Sequence, residues 1–119
     1  MGLTFVDLEI ANPADPRSRE KIRLLVDSGA TLSVVSRTVL RRLGIRPHSK
    51  RSFILANGES IERQVGNADF FFQGQQGASP VIFGKRGDSD LLGTVTLESL
   101  GLILDPIRRE LKPLPMMLA

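Results

Sequence analysis

The residue types and spacing that could do chemistry fall in one stretch, Leu24-Leu25-Val26-Asp27-Ser28-Gly29-Ala30-Thr31, an apolar run that ends in a carboxylate and a tight turn. An ionised carboxylate at the end of a buried strand is costly unless something compensates it, so its presence there points to use. Ser28 supplies a hydroxyl for a local bond, Gly29 permits a backbone conformation closed to other residues, and Ala30 leaves the turn uncrowded. Such a turn can pack closely against a second copy of itself. Carboxylates do hydrolytic work in pairs, one ionised to take a proton from water and one protonated to polarise a carbonyl. The chain has one Asp-Ser-Gly. Taken alone, Asp-Ser-Gly is more often a plain polar turn between strands.

The surrounding pattern adds to this. A second apolar patch stands at Val34-Val35, and Asp90-Leu91-Leu92-Gly93 carries a hydrophobic-hydrophobic-Gly element far downstream. Together with Asp27–Thr31, these segments resemble the retropepsin-like aspartic peptidases, nearest to the cellular and bacterial single-domain members, over roughly Leu3 to Lys112. The resemblance implies a mainly β fold: one acid-protease domain over residues 1–119, a closed β-barrel with one or two short helices, its core at about 3–112 and an apolar tail at 113–119. It further implies a homodimeric aspartic endopeptidase acting on a protein or peptide substrate, without cofactor or metal. Asp27 of each subunit would meet at the axis, and Ser28 would bond across it. Gly29 would allow backbone contact with substrate, Ala30 and Thr31 would complete the turn, and Leu92 and Gly93 would pack behind it. Carboxylates about 3 Å apart share a proton and titrate as a unit, which favours mildly acidic to neutral pH. Thr31 stands where viral enzymes have an Asp that binds substrate backbone, and Thr94 where they have an Arg. The alternative is a non-catalytic dimeric peptide-binding or scaffolding module of the same fold.

The elements that must position Asp27 can be read in order. Thr4 to Ile10 alternates, Asn12–Pro16 is dense in turn residues, and Lys21 resumes an alternation that runs into Leu24–Val26, which predicts a hairpin with Asp27 at its inner end. Leu32–Val35 reads as a short strand, and Ser36 as the N-cap of a helix over Arg37–Leu43 stopped by Gly44. Val39, Leu40 and Leu43 share one face of it, and Arg37, Arg41 and Arg42 lie on the solvated side. Phe53–Ile61 outlines a second hairpin, with Asn57-Gly58 suited to a type I′ turn. In the resembled family a hairpin here is the flap over the cleft, which would place Ala56, Asn57 and Gly58 at its tip.

Asn67–Gln73 and Pro80–Phe83 read as strands across a Gln75-Gln76-Gly77 turn. Three adjacent aromatics, Phe70 to Phe72, cannot all face inward, so Phe71 is expected to meet a flap, partner or ligand. Gly84–Asp90 is a polar loop, in which Asp88 and Asp90 lack the ligand series of a calcium site. Leu91–Gly93 then enters the core, Thr94–Leu100 reads as a helix stopped at Gly101, and Leu102–Leu104 as a strand with Ile107–Leu111 returning beside it. The apolar tail after Pro113 is expected to dock on something, as terminal strands of the resembled family join the dimer interface.

Composition narrows the alternatives. With 119 residues, 41% apolar and 24% charged, the chain has the size and balance of one globular domain. The absence of cysteine removes any disulfide or thiolate-metal framework and points to the cytoplasm. A single histidine, His48, in a polar segment supports neither a zinc site nor a Ser-His-Asp triad. The net charge of +3 is spread along the chain, and without Trp or Tyr no base-stacking platform is visible, so no nucleic-acid partner is expected. No apolar stretch approaches membrane-spanning length.

Overall fold

The computed structural model describes residues 2–115. In chain order its elements are β1 (Phe5–Asn12), β2 (Asp15–Val26), β3 (Ser33–Ser36), α1 (Arg37–Arg42), β4 (Ser49–Ile54), β5 (Ser60–Phe72), β6 (Gln75–Gly84), β7 (Leu91–Leu92), α2 (Thr94–Ser99), β8 (Leu102–Asp105) and β9 (Glu110–Pro113). The protein is therefore mainly β with two short helices, as expected. None of the described helices is long and apolar enough to cross a membrane.

Seven strands form one sheet in the order β1-β2-β7-β3-β6-β5-β4. Ile10 of β1 also pairs with Phe70 of β5, which closes six of the strands into a ring and leaves β4 outside it. The length of β5 makes this possible: residues 60–65 pair with β4 and residues 69–71 with β1, while β6 occupies the opposite edge. Inside the ring Leu8, Ile10, Leu24, Val35, Phe70, Val81 and Leu92 form the core. Burying such side chains stabilises the fold by roughly 1.5–3 kcal/mol each.

The first hairpin follows from alternation, with Leu8 opposite Ile22 and a register shift between Ala11 and Asn12. Its return strand starts at Asp15, earlier than Lys21, because the polar residues before Lys21 are already paired with β1 as an exposed ribbon. Helix α1 is capped as anticipated: Ser36 Oγ accepts from Thr38 N–H at 3.3 Å, and Gly44 ends the element with φ +76°. Leu40 is buried, Val39 and Leu43 pack against the core, and the three arginines are exposed, Arg42 pairing with Glu20.

Two turns differ from expectation. At the β4–β5 tip, Leu55 C=O accepts from Gly58 N–H at 2.9 Å, and Leu55 N–H donates to Glu59 C=O at 2.8 Å. Only Gly58 of the pair takes positive φ, at +87°, so the tip is a three-residue loop closed by a glycine bulge rather than a type I′ turn. Asn57 does not take positive φ, and its Oδ1 accepts from Glu59 N–H at 2.9 Å. The two-residue turn with both φ positive lies instead at Gln73-Gly74, at +46° and +81°. Gln75, Gln76 and Gly77, expected to turn, are paired in β6 opposite Phe72, Phe71 and Phe70.

Phe71, expected to meet a flap, partner or ligand, packs instead against β2 of its own chain. It points away from Phe70, as the pleat requires, yet it is only 8% exposed, because the Arg19 guanidinium lies 3.6 Å from its ring centroid. The protein's own β2 ribbon covers it. Near the C-terminus, Asp105 Oδ1 accepts from Ile107 N–H and Arg108 N–H, and Arg109 takes φ +55°. The turn thereby extends to Arg109, so the return strand begins at Glu110 instead of Ile107. Of the apolar tail, Pro113 ends β9 and Leu114 N–H donates to Gly101 C=O at 2.8 Å, while residues 116–119 lie outside the described residues.

Candidate active site

The apolar run of β2 delivers Asp27 to the edge of the ring. Strand β7 lies between β2 and β3: Leu25 and Val26 run parallel to Leu91 and Leu92, and Val34 pairs antiparallel with Leu91. The segment joining β2 to β3 must pass over the end of β7, and Asp27 to Leu32 form that overpass. Asp27 N–H donates to Leu92 C=O at 3.0 Å, Ala30 N–H to Asp27 C=O at 3.1 Å, and Gly29 N–H to Asp27 Oδ1 at 2.9 Å. The aspartate is half-buried, while Ser28, Gly29 and Thr31 are exposed.

Gly29 has no positive φ, in contrast to the expectation of a special backbone conformation. A Cβ on it would stand 3.3 Å from Asp27 Oδ1, so glycine leaves room for the carboxylate that its own N–H holds. Gly93 is more confined still, since a Cβ there would come within 2.6 Å of the Leu32 carbonyl carbon and 2.8 Å of Thr31 C=O. The two backbones are in direct contact, which places Leu92 and Gly93 behind the turn.

Helix α2 completes the support. Its N-cap is Gly93, which offers no side chain to satisfy the first N–H groups. Those donors go to the overpass instead: Thr94 N–H to Ala30 C=O at 2.9 Å and Val95 N–H to Thr31 C=O at 3.0 Å. Free N–H groups are the ordinary state of a helix start, and here they hold the turn. Beneath it lie three buried hydroxyls, Ser33, Thr96 and Ser79. None stands out in the sequence, although Ser33 occupies an inward position of β3 in register with Val35, where a polar residue needs a partner.

A cleft of about 500 Å³ opens beside the turn. Gly29 to Leu32 form one wall, and Phe53, Ile54, Leu55 and Ile61 of the β4–β5 hairpin face them. The tip residues Ala56, Asn57 and Gly58 are exposed and do not line it. Ile54 is 80% exposed, which leaves an apolar side chain uncovered at the cleft mouth. At the far wall Arg63 forks onto Asp88, with Nε to Oδ2 at 2.8 Å and Nη2 to Oδ1 at 3.0 Å. Asp88 Oδ2 also accepts from Lys85 N–H, so this carboxylate is occupied by its own chain. The Arg63 bond holds the Asp88 carboxyl below the usual carboxylate range. Asp90, next to it, accepts from Ser36 N–H at 3.1 Å. A second, apolar groove of about 400 Å³ lies on the other side of Ser28, between α2 and β8.

A ring of strands whose paired overpass and two-residue strand lock an Asp-Ser-Gly turn against a hydrophobic-hydrophobic-Gly element defines a retropepsin-like aspartyl protease fold. The chain belongs to the aspartyl protease family, whose sequence model matches residues 8–101. Among curated proteins none matches it in sequence. Among solved structures it is similar to the protease of simian foamy virus (mac), with 22% identity over 78% of this chain and 92% of that one and a TM-score of 0.52. A retropepsin-like aspartic protease from Rickettsia conorii matches with 21% identity over 88% of this chain and 94% of that one, at a TM-score of 0.44.

Proposed function

We propose that the protein is an aspartic endopeptidase that works as a homodimer, with one Asp27 from each copy in a shared site. The observation that carries this reading is the placement of Asp27. It stands half-buried at the open end of β2, its backbone tied to Leu92 and its Oδ1 to Gly29 N–H, beside an apolar cleft wide enough for side chains of a peptide.

In the dimer the two carboxylates lie about 3 Å apart and hold one proton between them. The ionised one takes a proton from a water molecule as its oxygen attacks the scissile carbonyl carbon, and the protonated one donates to the carbonyl oxygen. Collapse of the tetrahedral diol breaks the C–N bond: the leaving nitrogen takes the proton gained by the first carboxylate, and the second carboxylate takes one back from a diol hydroxyl, which leaves the new carboxyl group and restores the shared proton. Gly29 N–H, donating to Oδ1, restrains each carboxylate during this exchange. Ser28 bonds to the partner's turn, and the β4–β5 hairpin, with Ala56, Asn57 and Gly58 at its tip, covers the bound peptide. Phe53, Ile54 and Ile61 favour apolar side chains in the cleft.

The test is cleavage of a diverse peptide library from acidic to neutral pH, at rising protein concentration, for the native chain, Asp27→Asn and Asp27→Ala. Turnover per chain that rises with concentration and vanishes in both variants is the expected result. A native chain that is dimeric and inert, or variants that cleave as well as it does, would overturn the reading and leave a peptide-binding module of the same fold.

A further inference from the structure

Below the Asp27 turn, three hydroxyls from three separate elements touch in sequence. Gly93 N–H donates to Ser33 Oγ at 2.9 Å, Ser33 Oγ lies 2.5 Å from Thr96 Oγ1, Thr96 Oγ1 lies 2.9 Å from Ser79 Oγ, and Ser79 Oγ donates to Pro80 C=O at 3.0 Å. Ser33 and Thr96 have no exposed surface and Ser79 has 3%. A buried hydroxyl is costly unless bonded, and a fully buried position in a strand or helix is more cheaply filled by an apolar residue. Three of them in contact therefore call for an explanation beyond packing.

The two ends of the chain fix its direction. An amide N–H can only donate and a carbonyl can only accept, while each hydroxyl has one proton to give. Ser79 gives its proton to Pro80 C=O, so it accepts from Thr96. Thr96 thus accepts from Ser33, and Ser33 accepts from Gly93. Every donor and acceptor used is satisfied in one orientation, and no hydroxyl can turn its proton away without breaking the bond it donates. The far end is anchored in β6, a strand inside the ring, so the near end is a fixed point for Gly93 N–H.

Gly93 is the residue whose backbone presses on Thr31 and Leu32, and it is flanked by Leu92 C=O, which holds Asp27 N–H, and Thr94 N–H, which holds Ala30 C=O. We infer that Ser33, Thr96 and Ser79 form a one-way hydrogen-bond relay that positions the Asp27 turn by holding Gly93, and so sets the placement of Asp27 for the reaction. This inference rests on the peptidase reading for its catalytic consequence, though the relay's grip on Gly93 can be measured without turnover. The three are positioning residues and touch no substrate.

The experiment compares the native chain with Thr96→Val, which keeps the shape and removes the link, and with Thr96→Ser, which restores the link. Amide hydrogen exchange at Asp27 and Gly93 is read beside kcat and KM, all at a temperature where each variant is folded. The expected result is exchange at both amides faster by about tenfold in Thr96→Val, matching one lost buried hydrogen bond, together with a lower kcat at nearly unchanged KM and recovery of both in Thr96→Ser. Unchanged exchange at Gly93 would overturn the relay, whatever the activity. Faster exchange with native kcat would also overturn it, because the hydroxyls would then serve stability alone. A native chain without turnover refutes the peptidase reading and with it the catalytic role, whereas the exchange pattern is then lost or kept on its own account. Should Thr96→Val fail to fold, Ser79→Ala removes only the last oxygen of the relay and is read by the same two measurements.

Discussion

Replacing Gly93 by alanine is the sharpest perturbation of the site. Its φ of −91° and ψ of 173° suit any residue, so the whole cost is one of space. The new Cβ would meet the Leu32 carbonyl carbon at 2.6 Å, Leu32 C=O at 2.8 Å and Thr31 C=O at 2.8 Å, all of them backbone atoms that cannot swing aside. Overpacking of this kind costs about 1–3 kcal/mol when side chains yield. Here the overpass itself must lift, which strains Asp27 N–H to Leu92 C=O and Thr94 N–H to Ala30 C=O at about 1 kcal/mol each. A destabilisation of about 3–5 kcal/mol follows, or about 10–20 °C in Tm for a chain of this size. Gly58→Ala is the matched control: nothing stands within 4 Å of its Cβ and only its φ of +87° is unfavourable, so it should cost about 1 kcal/mol. Thermal and urea unfolding followed by circular dichroism measure both. If Gly93→Ala lowers stability no more than Gly58→Ala, the contact between residues 31–32 and 93 is not the constraint described here.

The Arg63–Asp88 pair predicts a pH signature. Because Arg63 depresses the Asp88 carboxyl, the pair stabilises the folded state above the ordinary carboxylate value of about 4 and loses that contribution as pH falls from there through the lowered folded value. Asp88→Asn should therefore cost about 1–2 kcal/mol at neutral pH, reduced from the buried limit by partial solvent screening, and the gap to the native chain should close in acid; a constant gap in urea titrations refutes it. Arg19→Ala should uncover Phe71 and cost about 1 kcal/mol, more than Arg17→Ala on the same ribbon, measured by chemical denaturation. Ser36→Ala should cost about 0.5–1 kcal/mol, at the low end for caps because its bond to Thr38 N–H is 3.3 Å long, and an unchanged midpoint would show that Asp90 alone caps α1.

The parts of the fold that could be read from the sequence are those specified by short-range pattern. Alternation in Val6–Ile10, the cap Ser36 with Gly44 behind α1, and the apolar Leu91-Leu92 before Gly93 each identify an element from neighbours a few residues away. The closure of β1 on β5 depends on residues about sixty apart, and no local signal marks Ile10 as the partner of Phe70. Gln73 carries no turn signal in the sequence because glutamine rarely takes positive φ, and only the pairing of the flanking strands forces it there. Phe71 pointed outward as the pleat demands, but its cover, Arg19, comes from a ribbon whose length the polar residues 15–20 conceal. The hydroxyls of Ser33, Ser79 and Thr96 are unremarkable singly and acquire meaning only where three elements meet.

The overpass also has a history within each folding event. Asp27 precedes by more than sixty residues the segment that holds it, since its N–H waits for Leu92 C=O and the carbonyls of Ala30 and Thr31 wait for Thr94 and Val95. Loop closure over that separation is slow compared with hairpin formation, so β1–β2, β4–β5 and β5–β6 can pair while the turn is still loose. A chain emerging during synthesis exposes Asp27 before it can be set in place, since residues 92–95 must appear first. The order of the strands thus acts as a timer, and a chain truncated before Gly93 would carry Asp27 without the contacts that fix its turn.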